Sequence, residues 1–285
     1  MEKKANLQTE QIFERSNQFL NLLRTIYGKI VVNSLVDCSD KPVLKLQDPD
    51  KINSFINRYK RQQEEGCSCC KKIYSKQSDF SERKMDFPSW LGNLDFREKN
   101  AKRIMIIGED ISPAIKKDIN IAYGLARYII DDDGKLFDES GKEVEKRNKL
   151  WFNIKKLADG QLHAILENIY ITDTSKCHAF KNQNIWKSCS DTYLKKEIKL
   201  ICPKVIIFQG RTSYNKARKV FERDMKEEKI PEDNFTRIGK ISFANQDPIP
   251  FIKIYHTSVA NRANWKAFDN NYYKRLFRNK ILSEI

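Results

Sequence analysis

The sequence lacks long apolar runs. No stretch of its 285 residues approaches the roughly 20 consecutive apolar residues that a membrane-spanning helix requires. The N-terminal segment is charged from its second residue and has no apolar core of a secretory signal. Internal repeats and low-complexity tracts are missing too. These absences argue against a membrane or secreted protein, and they predict a cytoplasmic location.

The sequence has an odd number of cysteines, so they cannot all pair as disulfides within one chain. In a reducing compartment, seven cysteines are better explained as free thiols or metal ligands than as disulfides. Three of them fall within residues 67–70, CSCC, which argues against seven unliganded thiols. Cys202, within LICPKVIIF, and Cys38 are most simply small core residues.

Acidic residues are outnumbered by basic ones. The chain has 53 Lys and Arg against 38 Asp and Glu, a formal charge of +15 and a pI near 9.4. This balance favours a polyanionic partner such as nucleic acid. The alternative is a basic, soluble surface without such a partner. The hydrophobic content of 40% is ample for a core.

The pattern of apolar residues changes near residue 98. Residues 1–98 read as a helical N-terminal extension, with amphipathic spacing at 10–27 and 48–63. Residues 99–285 alternate strand-like apolar runs with helical stretches, which predicts an α/β domain with a parallel sheet covered on both faces. The predicted strands are 103–109, 168–174, 204–210 and 251–256, and the predicted helices are 114–130, 142–158, 190–201, 211–228 and 265–282.

Three of the predicted strands run directly into polar side chains. IMIIG leads into Glu109 and Asp110, IYIT leads into Asp173, and IKIY leads into His256 and, two residues later, Ser258. In parallel sheets, ligands bind beyond the carboxyl ends of the strands. We therefore expect these side chains to share one edge of the sheet and one pocket.

Four segments in this order resemble the uracil-DNA glycosylase superfamily. They read IMIIGED, IYITDTSKC, YLKKEIKLICPKVIIFQG and IKIYHTS, and the resemblance covers about residues 101–282. It implies a three-layer α/β/α sandwich with a central, mainly parallel four-stranded sheet. It also implies a hydrolase that flips a base out of DNA and hydrolyses its glycosidic bond. DNA is the implied partner, and we expect a monomer.

The resemblance assigns roles to several residues. Residues 108–112, Gly-Glu-Asp-Ile-Ser, match a Gly-Gln-Asp-Pro-Tyr motif, so Asp110 is the candidate acid that orients the attacking water, while Gly108 and Glu109 help to bind the base. Tyr123 stands where the family stacks an aromatic ring on the base. The alternative for Asp110 is a helix N-cap.

The final motif of the family is His-Pro-Ser. Residues 256–258, His-Thr-Ser, match it except for threonine in place of proline, so His256 is the candidate donor to the departing base. Its alternative is an ordinary hydrogen-bonded histidine at a strand end. The resemblance places Ser258, Asn261 and Arg262 on DNA, the latter two filling the gap left by the base.

Lysine and arginine side chains near the same edge are candidate phosphate ligands, Lys176 foremost among them. The others are Lys181, Lys187, Arg211 and Lys216. The alternative for each is a solvated surface charge. No lysine stands at a site matching lyase chemistry.

Some branches of the superfamily hold a 4Fe-4S cluster with two N-terminal cysteines and two in the core. Cys67 and Cys70 match the first pair, and Cys177 and Cys189 match the second. Cys69 is an alternative to either N-terminal ligand. Four thiolates suit this cluster, and a tetrahedral zinc accepts the same set. A structural rather than catalytic role is expected.

Two departures from the family bear on the substrate. Uracil-specific members generally have asparagine where this chain has Asp173, and an ionised aspartate accepts from the cytosine N4 amino group. Ser112 replaces a tyrosine that excludes bulk at C5 of the base. Together they predict a 5-modified cytosine, such as the hydroxymethylated or glucosylated base of some phage genomes, and an antiviral glycosylase.

Two other functions stay open from the sequence. One is a conventional uracil-DNA glycosylase of base-excision repair, in which burial keeps Asp173 protonated. The other is a catalytically inactive iron-sulfur module that only binds DNA.

Overall fold

The structure is a computed structural model of the chain. It describes residues 2–27, 32–33, 36–37, 43–44, 90–91, 103–108, 129–130, 136–137, 169–176, 183–228, 235–244, 246–255 and 279. Within residues 2–27 it describes the side chains of 14–26. The predicted helices at 48–63, 142–158 and 265–282 lie outside these residues, apart from residue 279.

The helices and strands are named in chain order. They are α1 (Glu2–Tyr27), β1 (Val36–Asp37), β2 (Val43–Leu44), β3 (Trp90–Leu91), β4 (Ile104–Gly108), β5 (Ile129–Ile130), β6 (Leu136–Phe137), β7 (Ile169–Asp173), α2 (Gln183–Cys189), α3 (Lys195–Ile201), β8 (Val205–Gln209), α4 (Gly210–Val220), β9 (Met225–Glu228), β10 (Arg237–Ile241) and β11 (Ile249–Ile254). A π-helical turn, Ser190–Leu194, joins α2 to α3.

Within the described residues, the main sheet has seven strands in the order β3-β7-β4-β8-β11-β10-β9. Its centre is parallel, because β4 pairs in parallel with β7 and β8, and β8 pairs in parallel with β11. The edge strands are antiparallel, with β3 beside β7 and with β10 and β9 beyond β11. The four predicted parallel strands are confirmed, and the sheet is wider than the expected four strands.

The central strands are buried on both faces. All residues of β4, β7 and β8 are buried. This agrees with their sequences, which are continuous apolar runs rather than alternating ones. Burial on both faces is what a three-layer α/β/α sandwich requires, and it leaves the strand ends as the place for polar chemistry.

One face of the sheet packs against the described helices. The core cluster on this side joins residues of α1, α3 and α4 to residues of β4, β7, β8 and β11. Phe19 of α1 contacts Tyr170 of β7 edge to face, with ring centroids 5.7 Å apart, and Arg15 Nε donates to Leu200 O at 2.7 Å. The predicted amphipathic helix at 10–27 is confirmed and begins earlier. The domain boundary near residue 98 stays a prediction.

Two predictions of helix are wrong in part. The helix expected over residues 211–228 ends at Val220, and Met225–Glu228 forms edge strand β9 against β10. Pairing with β10 overrides the helical preference of this charged segment, and charged side chains are typical of a protected sheet edge. Residues 129–130, expected in a helix, pair instead with 136–137 across the predicted turn at DDDGK.

Candidate functional site

The parallel strands bring their carboxyl ends to one edge of the sheet. Gly108, the last residue of β4, is directly opposite Asp173, the last residue of β7. Ile254 at the end of β11 is opposite Gln209 at the end of β8. The structure therefore confirms that these strand ends share one edge, which is the expected ligand side of an open α/β sheet.

Gly108 and Asp173 are in close contact. A Cβ atom on Gly108 would lie 2.0 Å from Asp173 Oδ1 and 3.3 Å from its Cγ. The amide of Thr174 also donates to Gly108 O at 3.1 Å. The Asp173 carboxylate thus lies against Gly108 at the end of the neighbouring strand β4. Gly108 precedes Asp110 by two residues in the sequence. Only glycine leaves room for it there.

The Asp173 carboxylate keeps its acceptor capacity. The residue is 9% exposed, and no side chain or amide within the described residues donates a hydrogen bond to its carboxylate oxygens. Its main-chain carbonyl, by contrast, accepts from Lys176 Nζ at 2.9 Å. A carboxylate that is mostly buried beside a strand end gains most from a ligand that brings donors.

A buried charged pair lies beneath this strand end. Lys176 Nζ is 2.5 Å from Glu197 Oε2, and the two side chains are 1% and 0% exposed. Tyr170 donates its hydroxyl to the other carboxylate oxygen, Oε1, at 2.5 Å. Lys176 Nζ also donates to Thr172 Oγ1 at 2.5 Å. The network links two layers of the fold, because Glu197 belongs to α3 and Tyr170 and Thr172 belong to β7.

Burial controls the protonation of this network. Desolvation raises the pKa of the Glu197 carboxyl, and the neighbouring Lys176 ammonium opposes that rise. Desolvation, followed by the charge of Glu197, raises the pKa of Tyr170 well above its usual value. Tyr170 therefore keeps its proton and acts as a donor.

The structure corrects the prediction that Lys176 holds a DNA phosphate. Its ammonium is enclosed and paired with Glu197, so it is not available to a phosphate. Among the other candidates that the structure describes, Lys187 and Arg211 are exposed. Lys216 lies 5.9 Å from the Trp186 ring centre. Arg211 is the second residue of α4, close to the carboxyl end of β8.

Cys189 is the one predicted cluster ligand that the structure describes. It is 1% exposed, and its Sγ accepts a hydrogen bond at 3.3 Å from the amide of Lys176. Lys176 directly precedes Cys177 in the sequence. The described residues contain no group of three or more His, Cys, Asp or Glu side chains placed to hold a metal ion. Three of the four expected ligands lie outside them.

Most predicted site residues lie outside the part of the chain that the structure describes. Gly108, Asp173, Lys176 and Cys189 fall inside it, and so do the further phosphate candidates Lys187, Arg211 and Lys216. The predictions for the other positions stay predictions; these are Cys67, Cys69, Cys70, Glu109, Asp110, Ser112, Tyr123, Cys177, Lys181, His256, Ser258, Asn261 and Arg262.

Sequence reasoning missed two polar residues of this region. Gln209 ends β8 at the same edge and is 6% exposed. Its signal was available, since KVIIFQG is an apolar run ending in a polar residue like the other three. Glu197 was missed as well, although it interrupts the apolar face of its helix.

The fold and site define an α/β domain with a parallel sheet and a carboxylate at its ligand-binding edge. A family model described as the uracil DNA glycosylase superfamily matches residues 95–280. The chain belongs to this superfamily. Membership confirms the resemblance, places the domain among the DNA glycosylases and implies that it binds DNA. None of the curated proteins compared with the chain matches it.

Among the described residues, no helix combines the length and the apolar character needed to cross a bilayer.

Gly108→Ala should damage both stability and the site. The new Cβ would have to displace the Asp173 carboxylate or the strand, at an expected cost of about 1–3 kcal/mol in the free energy of unfolding. Gly239→Ala is a matched control in β10, where the Cβ would lie 2.0 Å from Lys226 O. Both variants should lower the melting temperature. Only Gly108→Ala should also change base preference, and equal base preference in both would contradict the assigned contact.

Proposed function

We propose that the protein is a monofunctional DNA glycosylase that excises a 5-modified cytosine and leaves an abasic site. The observation that carries this proposal is the Asp173 carboxylate, placed at the carboxyl edge against Gly108. An ionised carboxylate accepts from the N4 amino group of cytosine, whereas it has no donor for O4 of uracil. The proposed substrates are hydroxymethylcytosine and its glucosylated form in phage DNA, which corresponds to an antiviral role.

The proposed mechanism stabilises two charges that develop during the reaction, one on the sugar and one on the departing base. Departure of the base leaves an electron-poor sugar and an anionic ring, so groups that meet these charges act in the transition state. Asp110 orients water at the sugar, and His256 donates to O2 of the base. Tyr123 stacks on the everted ring, while Gly108 and Glu109 line its edge.

The remaining proposed contacts fit the base and the DNA. Ser112 leaves space for a substituent at C5. Asn261 and Arg262 fill the gap in the duplex, and Ser258 contacts the backbone. These roles come from the family's motifs, and the basic balance of the chain supports a DNA partner.

We further propose that Cys67, Cys70, Cys177 and Cys189 hold a 4Fe-4S cluster, with zinc as the alternative. The described ligand suits such a group, since Cys189 Sγ is buried and accepts an amide hydrogen bond, as thiolates around iron-sulfur clusters do. The cluster's role is structural, tying the N-terminal extension to the core. The chain's own residues carry out the reaction.

Cys189→Ser should remove the cluster and lower the melting temperature. The readouts are iron and zinc per protein by elemental analysis and the brown colour of the purified protein. Cys202→Ser is the control, because Cys202 is partly exposed and caps α3 with a φ of 48°. Because Cys202 is partly exposed, the prediction that it is a buried core residue is wrong. Equal metal content in wild type and Cys189→Ser would contradict the proposed ligand.

An abasic-site assay tests the proposed function. Duplexes carrying uracil, cytosine, hydroxymethylcytosine or glucosylated hydroxymethylcytosine are incubated with the protein, and alkali then cleaves any abasic site. Strongest cleavage at a modified cytosine is expected. Cleavage confined to uracil would indicate a conventional uracil-DNA glycosylase. Salt-sensitive binding without cleavage of any duplex would indicate an inactive DNA-binding module.

A further inference from the structure

Lys176 closes the turn that follows β7. Its ammonium donates to Asp173 O at 2.9 Å and to Thr172 Oγ1 at 2.5 Å, so the side chain folds back onto the end of its own strand. Hydrogen bonds from a charged donor are stronger than neutral ones. The last two residues of the strand are therefore held from the side of the turn.

Glu197 anchors that ammonium to helix α3. One carboxylate oxygen lies 2.5 Å from Lys176 Nζ, and the other accepts from Tyr170 OH at 2.5 Å. Tyr170 belongs to the same strand, three residues before Asp173. One side chain of α3 therefore contacts β7 directly at Tyr170 and indirectly through Lys176, which donates to Asp173 O.

A purely structural role does not account for charges at this position. Removing a buried ion pair from water costs much of what the pair gains, so apolar side chains of similar volume join two layers at least as well. Apolar side chains cannot hold a main-chain carbonyl. The contact that requires the ammonium is its hydrogen bond to Asp173 O.

We propose that Lys176 and Glu197 are positioning residues, which hold the end of β7 so that the Asp173 carboxylate faces the base site beside Gly108. They act through the backbone of Asp173 and touch no reacting atom. The inference rests on the proposed function in one respect, namely that Asp173 reads the base. It adds to that function that the Lys176–Glu197 pair sets the orientation of the Asp173 carboxylate.

Two variants separate positioning from stability. Lys176→Met leaves Glu197 buried without its counter-charge and is expected to fold poorly. Adding Glu197→Gln removes both charges and retains an oxygen that can accept from Tyr170. The double variant should regain most of the melting temperature that the single variant loses. Its kcat/KM for the preferred base should stay reduced by about 10²-fold, the effect of a misplacement of about 1 Å.

Base discrimination completes this comparison. The ratio of kcat/KM between modified cytosine and uracil should fall in the double variant, because a turned carboxylate no longer distinguishes the two ring edges. A merely structural pair predicts that melting temperature, activity and discrimination recover together, and that result would overturn the proposal. The amide of Lys176 that contacts Cys189 is retained in both variants.

Hydrogen exchange gives a readout that needs no substrate. The Thr174 amide, which donates to Gly108 O, should exchange at least about tenfold faster in the double variant if the strand end opens locally. The amide of Ile207 in central strand β8 should keep its wild-type rate. Unchanged protection at Thr174 would overturn the proposal. If the wild-type protein excises no base, the proposed function fails, and Thr174 exchange still decides whether the pair holds the strand end.

A surface pair provides the matched control. Lys195 Nζ lies 3.3 Å from Asp191 Oδ1, with the side chains 34% and 41% exposed. Exposed pairs of this kind contribute little to stability. Lys195→Met with Asp191→Asn should therefore leave Thr174 exchange and base discrimination at wild-type values. Equal changes in this control would also overturn the proposal.

Discussion

Asp173→Asn should shift base excision from modified cytosine towards uracil. The substitution preserves the shape of the side chain beside Gly108 and replaces one carboxylate oxygen by an NH2 group. It weakens a charge-assisted hydrogen bond from cytosine N4, which is worth about 2 kcal/mol, or about 30-fold in rate. The new amide can donate to O4 of uracil and accept from N3-H. A gain of similar size for uracil would change the ratio of kcat/KM by about 10³-fold.

The same assay also measures a control variant and can give a result that contradicts the proposal. Asp247→Asn makes an identical chemical change at an exposed residue before the amino end of β11, on the opposite edge of the sheet. It should leave the ratio of kcat/KM between modified cytosine and uracil unaltered. If wild type prefers uracil and Asp173→Asn does not alter that preference, the Asp173 carboxylate does not recognise cytosine as proposed. The conventional uracil glycosylase would then be the better assignment.

The parallel centre of the sheet was predictable because its strands carry their signal locally. β4, β7 and β8 are continuous apolar runs, which parallel strands require when both faces are covered. The polar residues that follow β4 and complete β7 also predicted that the ends of these two strands lie at one edge, where the structure places Gly108 opposite Asp173. Nothing in these segments competes with the strand conformation.

The antiparallel additions could not be found in the same way. β9 reads Met-Lys-Glu-Glu, three of its four residues are exposed, and its strand conformation depends on pairing with β10. Local sequence favours a helix there, and the partner strand is contributed by a later part of the chain. Tertiary pairing therefore decides the conformation, and no local pattern could indicate it.

The environment of Lys176 was misjudged for a related reason. A lysine just after a strand end is usually solvated, and only the folded structure shows that Glu197 faces it. A signal did exist on the helix, since Glu197 lies among the buried Tyr193, Leu194, Ile198 and Ile201 on one face. An acid within an apolar helical face predicts a buried partner. The sequence alone does not name that partner.

Asp110→Asn should abolish most of the excision activity while leaving DNA binding intact. The proposed function gives Asp110 the task of orienting the attacking water, and Gly108, two residues earlier in the sequence, pairs with Asp173 at the carboxyl edge of the sheet. A positioned acid or base typically contributes about 10²–10⁴-fold to the rate. We expect a loss of that size in kcat, measured by single-turnover cleavage of the preferred duplex.

Binding separates this catalytic effect from damage to the fold. An amide removes one negative charge near the DNA backbone, so affinity for an uncleaved duplex should be equal to or slightly higher than that of wild type. A helix N-cap at Asp110 predicts the opposite pattern, because asparagine caps helices about as well as aspartate and the rate would barely change. Wild-type rates for Asp110→Asn would therefore remove Asp110 from the mechanism, whatever base the protein prefers.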